Sequence, residues 1–336
     1  MANDSAPNAL GWTSDELSSA ESGLHSPTYR EKLRTSAAKL EIDGDNTEAW
    51  HTLLNCVYKL EIHLSRPFYD AFLKRFPTAA YHWNVYAQRE LKHGNIDRVK
   101  RIFQQCLLIC PYVQLWETYL SFLKKQGTPA PEMASAYEFA IDHVGHDIGS
   151  SNIWQVGEAR RGRERERERE SAWLREGVRA CLFFFFASRL AQDYSSFLKG
   201  SAANLAQLDQ SVIEKIRKTH QRAAAVPFYG GDKFFGEWER FENAINPQLS
   251  KKLIAEVMPT HNSTRACFRI RRQMTEKLKL NMIISKPRKY LTEEEFAATW
   301  RKYIAFEVMP WPGLPPELNA RRAHLAFKQV GGEETG

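Results

Sequence analysis

The amino-acid sequence predicts an all-α protein, a right-handed α–α superhelix (solenoid) of antiparallel helix pairs, and three observations carry that expectation. The stretch Trp83-Asn84-Val85-Tyr86-Ala87-Gln88-Arg89-Glu90 places Trp83, Tyr86 and Glu90 at i, i+3 and i+7, two turns of one helix face. The same spacing returns at Trp300, Tyr303 and Glu307, appears with its aromatics exchanged at Phe235, Trp238 and Glu242, and is half present at Trp116 and Tyr119. Trp50, Trp83 and Trp116 follow one another at intervals of 33 residues. Recurrence at near-fixed spacing marks an array of helical repeats, each stabilised chiefly by its neighbours.

Residues 1–25, rich in Ser, Ala, Asn and Gly, are expected to form a disordered tail. Helix pairs are expected over 26–155. A polar helix from Pro27 to Leu40 stops at Asp43-Gly44-Asp45. Thr47 is placed to cap a helix bearing Trp50, Leu53 and Leu54, and its partner is expected from Arg66-Pro67 through Phe68, Phe72 and Phe76 to Pro77. The second pair is the best formed. Its first helix carries Trp83, Tyr86 and Glu90, its turn is His93-Gly94-Asn95, and its second carries Val99, Ile102, Phe103, Cys106 and Leu107, closed by Pro111. The third pair carries Trp116, Tyr119, Leu120 and Leu123, turns at Gly127-Thr128-Pro129, and continues with Met133, Ala136, Tyr137, Ala140 and Ile141.

A fourth pair opens at Trp154 and is interrupted at once. With residues 156–192 set aside, Trp154-Gln155 joins Asp193-Tyr194 and the Trp-x-x-Tyr spacing is restored. Helix pairs resume over 193–329. After Tyr194, Phe197 and Leu198 comes a helix from Val212 to Ala225, then Phe235, Trp238 and Glu242 with a partner helix after Pro247 bearing Leu249, Leu253, Ile254 and Val257. A separate helix from about Ser263 to Lys279, carrying Ala266, Phe268, Ile270 and Met274, is expected. Thr292 and three glutamates give a cap with an acidic first turn. The last pair holds Trp300, Tyr303 and Glu307, then Ala320, Ala323 and Phe327, and residues 330–336 fall outside the repeat pattern.

Residues 156–192 differ from everything around them. They contain the run Arg163 to Glu170, in which Arg and Glu alternate, and Phe183-Phe184-Phe185-Phe186. On a helix the alternation sets like charges at i, i+4 and opposite charges at i, i+3, effects of a few tenths of a kcal/mol that largely cancel. The Phe run has neither helix nor strand periodicity and would be an aggregation hazard if exposed. At the nucleotide level the segment reads as a translated intron: an AG repeat, a pyrimidine tract near its end, a Val codon beginning GT and a Gln codon that can end in AG. A disordered insertion and an RNA-contacting insertion are the competing readings.

The chain has 336 residues with a formal net charge of +7. Residues 156–192 hold nine Arg and six Glu and so supply +3 of that total. The repeats themselves are only mildly basic, and charge alone does not argue for nucleic acid. The polar start (Met1-Ala2-Asn3-Asp4-Ser5) shows no signal peptide, and no apolar run approaches the roughly 20 residues of a membrane helix. Five cysteines without a CxxC pair suit a reducing compartment and speak against a disulfide framework or zinc module.

The motif Trp-x2-Tyr-x3-Glu followed by a Pro-terminated helix resembles the HAT (half-a-tetratricopeptide) repeat of RNA-processing scaffolds. More specific are Phe76-Pro77 before Trp83, Ala136-Tyr137-Glu138-Phe139-Ala140-Ile141-Asp142 with Val144-Gly145, Ile153-Trp154-Gln155-Asp193-Tyr194, and Trp238-Glu239-Arg240-Phe241-Glu242-Asn243-Ala244-Ile245-Asn246. Their order and spacing resemble the suppressor-of-forked family, the HAT scaffold subunit of cleavage stimulation factor. The resemblance runs from Thr47 to Gln329. It implies a nuclear, non-enzymatic scaffold in pre-mRNA 3′-end cleavage and polyadenylation, with other processing subunits and the pre-mRNA as partners. It also implies a C-terminal array that makes a homodimer, which this sequence does not match. A HAT scaffold of a splicing or ribosomal RNA assembly, or a direct RNA-binding protein, is the alternative.

The residues offer little chemistry. No GxGxxG, GxxxxGK[ST], GxSxG or HExxH stretch occurs, so no catalytic, cofactor or metal residue is expected. The signature residues Trp50, Trp83, Tyr86, Glu90, Trp116, Tyr119, Trp154, Tyr194, Phe235, Trp238, Glu242, Trp300, Tyr303 and Glu307 read as packing positions, and Cys106 and Cys110 as core. Arg98, Lys100 and Arg101, and Arg265, Arg269, Arg271 and Arg272, are the candidate contacts for acidic partners or RNA. Lys251, Lys252 and the linker Lys286-Pro287-Arg288-Lys289 are further basic clusters, the last resembling a weak nuclear-localisation patch.

Overall fold

The structure, a computed structural model, describes residues 8, 10–154, 210–276, 278 and 292–330. Every regular element among them is a helix. The expected all-α class of packed helix pairs is the observed one. The chain divides into two compact units, the first Met1–Cys110 with Asn281–Lys286, the second Pro111–Leu280 with Pro287–Gly336.

The first unit contains α1 (Ser14–Gly23), α2 (Pro27–Ile42), α3 (Thr47–Val57), α4 (Ile62–Arg75), α5 (Ala80–Lys92) and α6 (Ile96–Cys106). Consecutive helices from α1 to α6 pack on one another, and short connections between packed neighbours reverse the chain. The expected disordered tail is the first correction, since residues 14–23 are helical. Thr13 and Glu16 form a capping box: the Glu16 amide donates to Thr13 Oγ1 at 3.1 Å and the Thr13 amide to Glu16 Oε2 at 2.7 Å. The physical cause is Trp12, which is buried with its ring edge-on to Trp50 at 5.5 Å and 5.2 Å from Phe68. A single large aromatic anchors a segment whose polar composition otherwise favours disorder.

Two helix starts also differ from expectation. Asn46, not Thr47, caps α3, accepting from the Ala49 amide at 3.0 Å. Helix α4 begins at Ile62 rather than at Arg66, with Pro67 inside it. Proline there removes only the bond to the carbonyl of exposed His63, which water can reach, so the helix tolerates it. Between α5 and α6, Gly94 takes φ +74° with open space around its Cβ position, the left-handed geometry that ends a helix.

The second unit contains α7 (Val113–Lys125), α8 (Ala130–Val144), α9 (Ser151–Trp154), α10 (Gln210–Ala224), α11 (Gly231–Ile245), α12 (Pro247–Thr275), α13 (Glu293–Val308) and α14 (Pro316–Val330). Gly127, 33 residues after Gly94, ends α7 with φ +70°. Helix α12 is one continuous helix of 29 residues where the sequence suggested two. Its buried positions Ser250, Ile254, His261, Thr264, Cys267, Arg271 and Thr275 keep the helical period straight through Pro259, so one face is packed on both sides of the proline.

The apolar residues carried by α12 and α14 do not all face inward. Ala266 and Ile270 are exposed, as are Ala320 and Phe327. The buried residues on α14 include Arg322, Leu325, Ala326 and Gln329. Both helices bury arginine, which apolar periodicity assigns to solvent. Trp154 ends α9, and Tyr194 with the rest of 155–209 lies outside the described residues, as do Lys286 to Lys289 and residues 331–336.

Candidate functional site: buried clasps and exposed basic surface

The described signature aromatics pack against neighbouring side chains. In the first unit Trp50 and Trp83 are buried, and each indole N–H donates to a backbone carbonyl six residues upstream, of Gly44 at 2.8 Å and of Pro77 at 2.7 Å. Tyr86 stacks on Tyr69 with centroids 4.9 Å apart and donates to Asp70 Oδ1 at 2.9 Å. In the second unit Trp116 lies against Phe139 and His143, at 5.2 and 5.1 Å, with half-buried Tyr119 at its edge. Phe235 and Trp238 are buried together, and half-buried Trp300 meets buried Tyr303 at 5.9 Å.

The three signature glutamates are all buried, and each is clasped by an arginine from the helix that precedes its own. Arg66 on α4 grips Glu90 on α5 with two bonds, Nε to Oε1 at 2.8 Å and Nη2 to Oε2 at 2.9 Å. Arg217 on α10 grips Glu242 on α11 in the same way, both bonds at 2.9 Å, while Trp238 Nε1 donates to the same carboxylate at 3.0 Å. Arg271 on α12 reaches Glu307 on α13 at 2.6 Å, and Arg322 on α14 takes the second oxygen at 3.0 Å. Parallel N–H···O bonds of this kind are the strong, directional form of ion pair. The third pair has Leu123 at the equivalent position and no carboxylate to clasp.

The clasp at Glu307 is the centre of a larger buried network. Arg271 also donates to the carbonyls of His146 at 2.7 Å and Pro227 at 3.1 Å. Tyr303 donates to Gln329, and Gln329 donates to Asp147 Oδ2 at 2.5 Å. Two guanidiniums thus face two carboxylates. Burial raises the Asp147 carboxyl, opposed by the Arg271 charge and by hydrogen bonds from Gly149 and Gln329. Burial likewise raises the Glu90 carboxyl, but the bonds from Arg66 and Asn95 outweigh it and leave the group lowered. Glu90, Glu242, Glu307 and Asp147 are each engaged by hydrogen bonds from neighbouring side chains. Among the thiols, Cys110 is pushed up to about 12 and Cys267 to about 11 by burial.

Of the candidate contact residues, Arg271 is corrected outright. It is fully buried, held by Glu307, Tyr303 and two carbonyls, and presents nothing to a partner. The others lie on two surfaces. In the first unit Arg98 is half-buried beside Asp70 at 3.4 Å, while Lys100 and Arg101 are exposed on α6. In the second, Arg265 pairs with Asp232 at 2.9 Å, Arg272 with Glu276 at 3.5 Å, and Arg269, Lys251 and Lys252 are exposed. Sequence reasoning missed Arg66, Arg217, Arg322, Asp147 and Gln329. A signal existed for two of them, since Arg66 and Arg217 stand 24 and 25 residues before their glutamates.

Among the described residues no group of His, Cys, Asp and Glu is arranged to hold a metal ion, and no helix is long and apolar enough to cross a membrane. An open apolar depression of about 530 Å³ lies at the α13–α14 turn, lined by Val308, Pro310, Trp311, Pro312, Leu314 and Pro316. It contains no titratable side chain.

Comparison with known proteins matches residues 31–156 and 180–330 to the family described as Suppressor of forked protein. Cleavage stimulation factor subunit 77 of Arabidopsis thaliana is 29% identical over 268 residues, which cover 78% of this chain and 32% of that protein. Protein suppressor of forked of Drosophila melanogaster is 26% identical over 283 residues, covering 82% and 32%. The mRNA 3′-end-processing protein rna14 of Schizosaccharomyces pombe is 25% identical over 276 residues, covering 80% and 32%. The chain thus spans 32% of the length of each of these relatives. A crystal structure of CstF-77 aligns with a TM-score of 0.48 at 15% identity, covering 75% of this chain and 43% of that one.

Proposed function

Because the chain belongs to the suppressor-of-forked family, we propose that it acts as a non-enzymatic scaffold in mRNA 3′-end cleavage and polyadenylation, in the nucleus. The match over 31–156 and 180–330 carries this reading, together with relatives named for 3′-end processing. The chemistry agrees with it: the signature Trp, Tyr and Glu side chains are spent on packing and clasps, which leaves function to the outer faces of the helices. Its partners are other subunits of that machinery, bound through exposed positions such as Lys100, Arg101 and Arg269. Homodimerisation is expected to need family sequence that this chain does not match. Affinity purification of the tagged chain from nuclear extract, read by mass spectrometry, tests the proposal. Recovery of 3′-processing subunits is expected. Recovery of splicing or ribosomal RNA assembly proteins in their place would move the chain to another HAT-type complex.

We further propose that residues 156–192 are foreign to the array. Two observations support this. The family match breaks between 156 and 180, which covers the Arg/Glu run, and resumes over the segment's last 13 residues. The flanks of the segment are also tied to each other by groups outside it: Arg222 on α10 donates to Glu138 on α8 at 2.6 Å, and the Tyr229 amide to the Ile148 carbonyl at 2.9 Å. Sequencing cDNA from the same source checks the translated-intron origin. A dominant transcript that retains the segment would refute it.

A further inference from the structure

Some cations of the first unit meet carboxylates and others lie against aromatic rings. Arg34, Arg66, Arg75 and Arg98 each meet a carboxylate, Glu21, Glu90, Asp45 and Asp70 respectively, at 2.7 to 3.4 Å. Lys32, Lys59 and Arg89 do not. Lys59 Nζ sits 4.6 Å from the centroid of the Tyr29 ring, and Lys32 Nζ sits 5.8 Å from the same centroid. The Arg89 guanidinium lies 5.4 Å from the Tyr58 ring and 5.7 Å from that of Tyr69, and it donates to the carbonyls of Val57 and Leu60 at the end of α3. None of the three forms an ion pair with a carboxylate among the described residues. Glu61, two residues from Lys59, faces His63 at 3.4 Å.

Two rings here are open, while Tyr29 is half-buried. Tyr58 is 60% exposed and Tyr81 41% exposed, and the two phenols are close enough that Tyr58 raises Tyr81 electrostatically, after the larger effect of burial. Lys59 follows Tyr58 directly in the chain. Lys32 and Lys59 thus flank Tyr29 and Arg89 flanks Tyr58, bringing cations and rings together across α2, the α3 terminus and α5. Trp50, Trp83, Tyr86, Trp116, Trp238 and Tyr303 lack this property, being buried.

We propose that this Tyr29–Tyr58–Tyr81 surface binds single-stranded RNA, with a base stacked on Tyr58 and phosphates held by Lys32 and Lys59. Exposed rings such as Tyr58 and Tyr81 beside exposed cations such as Lys32 and Lys59 are what sequence-tolerant single-strand binding requires, because every base has a π-face and every linkage a charge. An acidic protein segment would use the cations and leave the rings idle. The proposal extends the scaffold reading by giving the array a ligand of its own. The two fail separately: a chain that binds no RNA can still recover processing subunits, and one that recovers none can still bind RNA.

The test is fluorescence anisotropy of the whole chain with a short labelled oligouridine and a duplex RNA of equal length, at low and physiological salt. The single strand is expected to bind more tightly than the duplex. Tyr58→Ala is expected to weaken it about tenfold, with Tyr58→Phe restoring binding because the ring remains. Lys32→Gln and Lys59→Gln are each expected to lower the salt slope by about one. Lys74→Gln, at an exposed position on α4, should change neither quantity. Circular dichroism melting of each variant separates lost binding from lost fold. Unchanged affinity in Tyr58→Ala and both lysine variants overturns the proposal, as does equal binding of duplex. A polyglutamate competitor that displaces the oligonucleotide, with sensitivity to the lysines but not to Tyr58, would reassign the surface to an acidic protein partner.

Discussion

Arg271 and Glu307, 36 residues apart in sequence, form an ion pair of 2.6 Å with both side chains wholly out of water. Glu307 also serves Arg322, so one carboxylate answers two buried guanidiniums. Removing one member of such a set leaves an uncompensated charge, which typically costs about 3–5 kcal/mol. Glu307→Gln is therefore expected to destabilise the second unit more than Arg271→Met, because it strands two cations rather than relieving one. Urea denaturation of the two variants checks the order.

The buried N-terminal anchor makes a second prediction. Trp12→Ala is expected to cost about 3–5 kcal/mol in the first unit, as for a large aromatic lost from a core. Trp12→Phe should cost far less, about 1.5 kcal/mol or under, since the Trp12 indole N–H has no partner to lose. A truly disordered tail would show no effect in either variant when melting is followed by circular dichroism.

His146 gives the second unit a pH dependence. Burial pushes its imidazole down to about 3, aided by the charges of Arg321 and Arg271, from an ordinary value of 6.5. The folded ring stays neutral while the unfolded ring takes up a proton below 6.5. Its contribution is thus complete above that value and falls as the pH drops, by up to about 1.4 kcal/mol per pH unit. His146→Gln should flatten the slope of urea-denaturation free energy between neutral pH and about pH 5.

Deletion of residues 156–192 is expected to leave the helical signal intact and the melting temperature unchanged or raised. The Arg222–Glu138 and Tyr229–Ile148 ties do not pass through the segment, and shortening a connection changes its closure entropy by only about 0.6 kcal/mol per halving. A cooperative loss of structure in the deletion variant would make the segment part of the fold.

The legible features were those written in apolar period and punctuation. Trp83, Tyr86 and Glu90 fixed the second pair, and Val99, Ile102, Phe103 and Cys106 lie buried on the helix that follows, as their spacing predicts. What was hidden is charge facing inward. Arg271 and Arg322 look like solvent residues in a hydrophobicity pattern, so apolar period alone misplaces the buried faces of α12 and α14. The clasps depend on which arginine meets which glutamate across helices, information that periodicity within one helix does not hold. Tyr58 and Tyr81 were passed over for the same kind of reason, since their value lies in cations supplied by other helices.

A chain assembled from look-alike helices risks pairing the wrong ones, or the right ones slipped by a turn. The apolar signature gives little protection, because one Trp-x-x-Tyr stripe accepts another. The clasps do discriminate. A slip of one helical turn, about 5.4 Å, would set Glu307 against Cys267 or Thr275 on α12 in place of Arg271, leaving buried charge unanswered. At this clasp a shifted register is thus opposed by an unpaired buried charge, which typically costs about 3–5 kcal/mol.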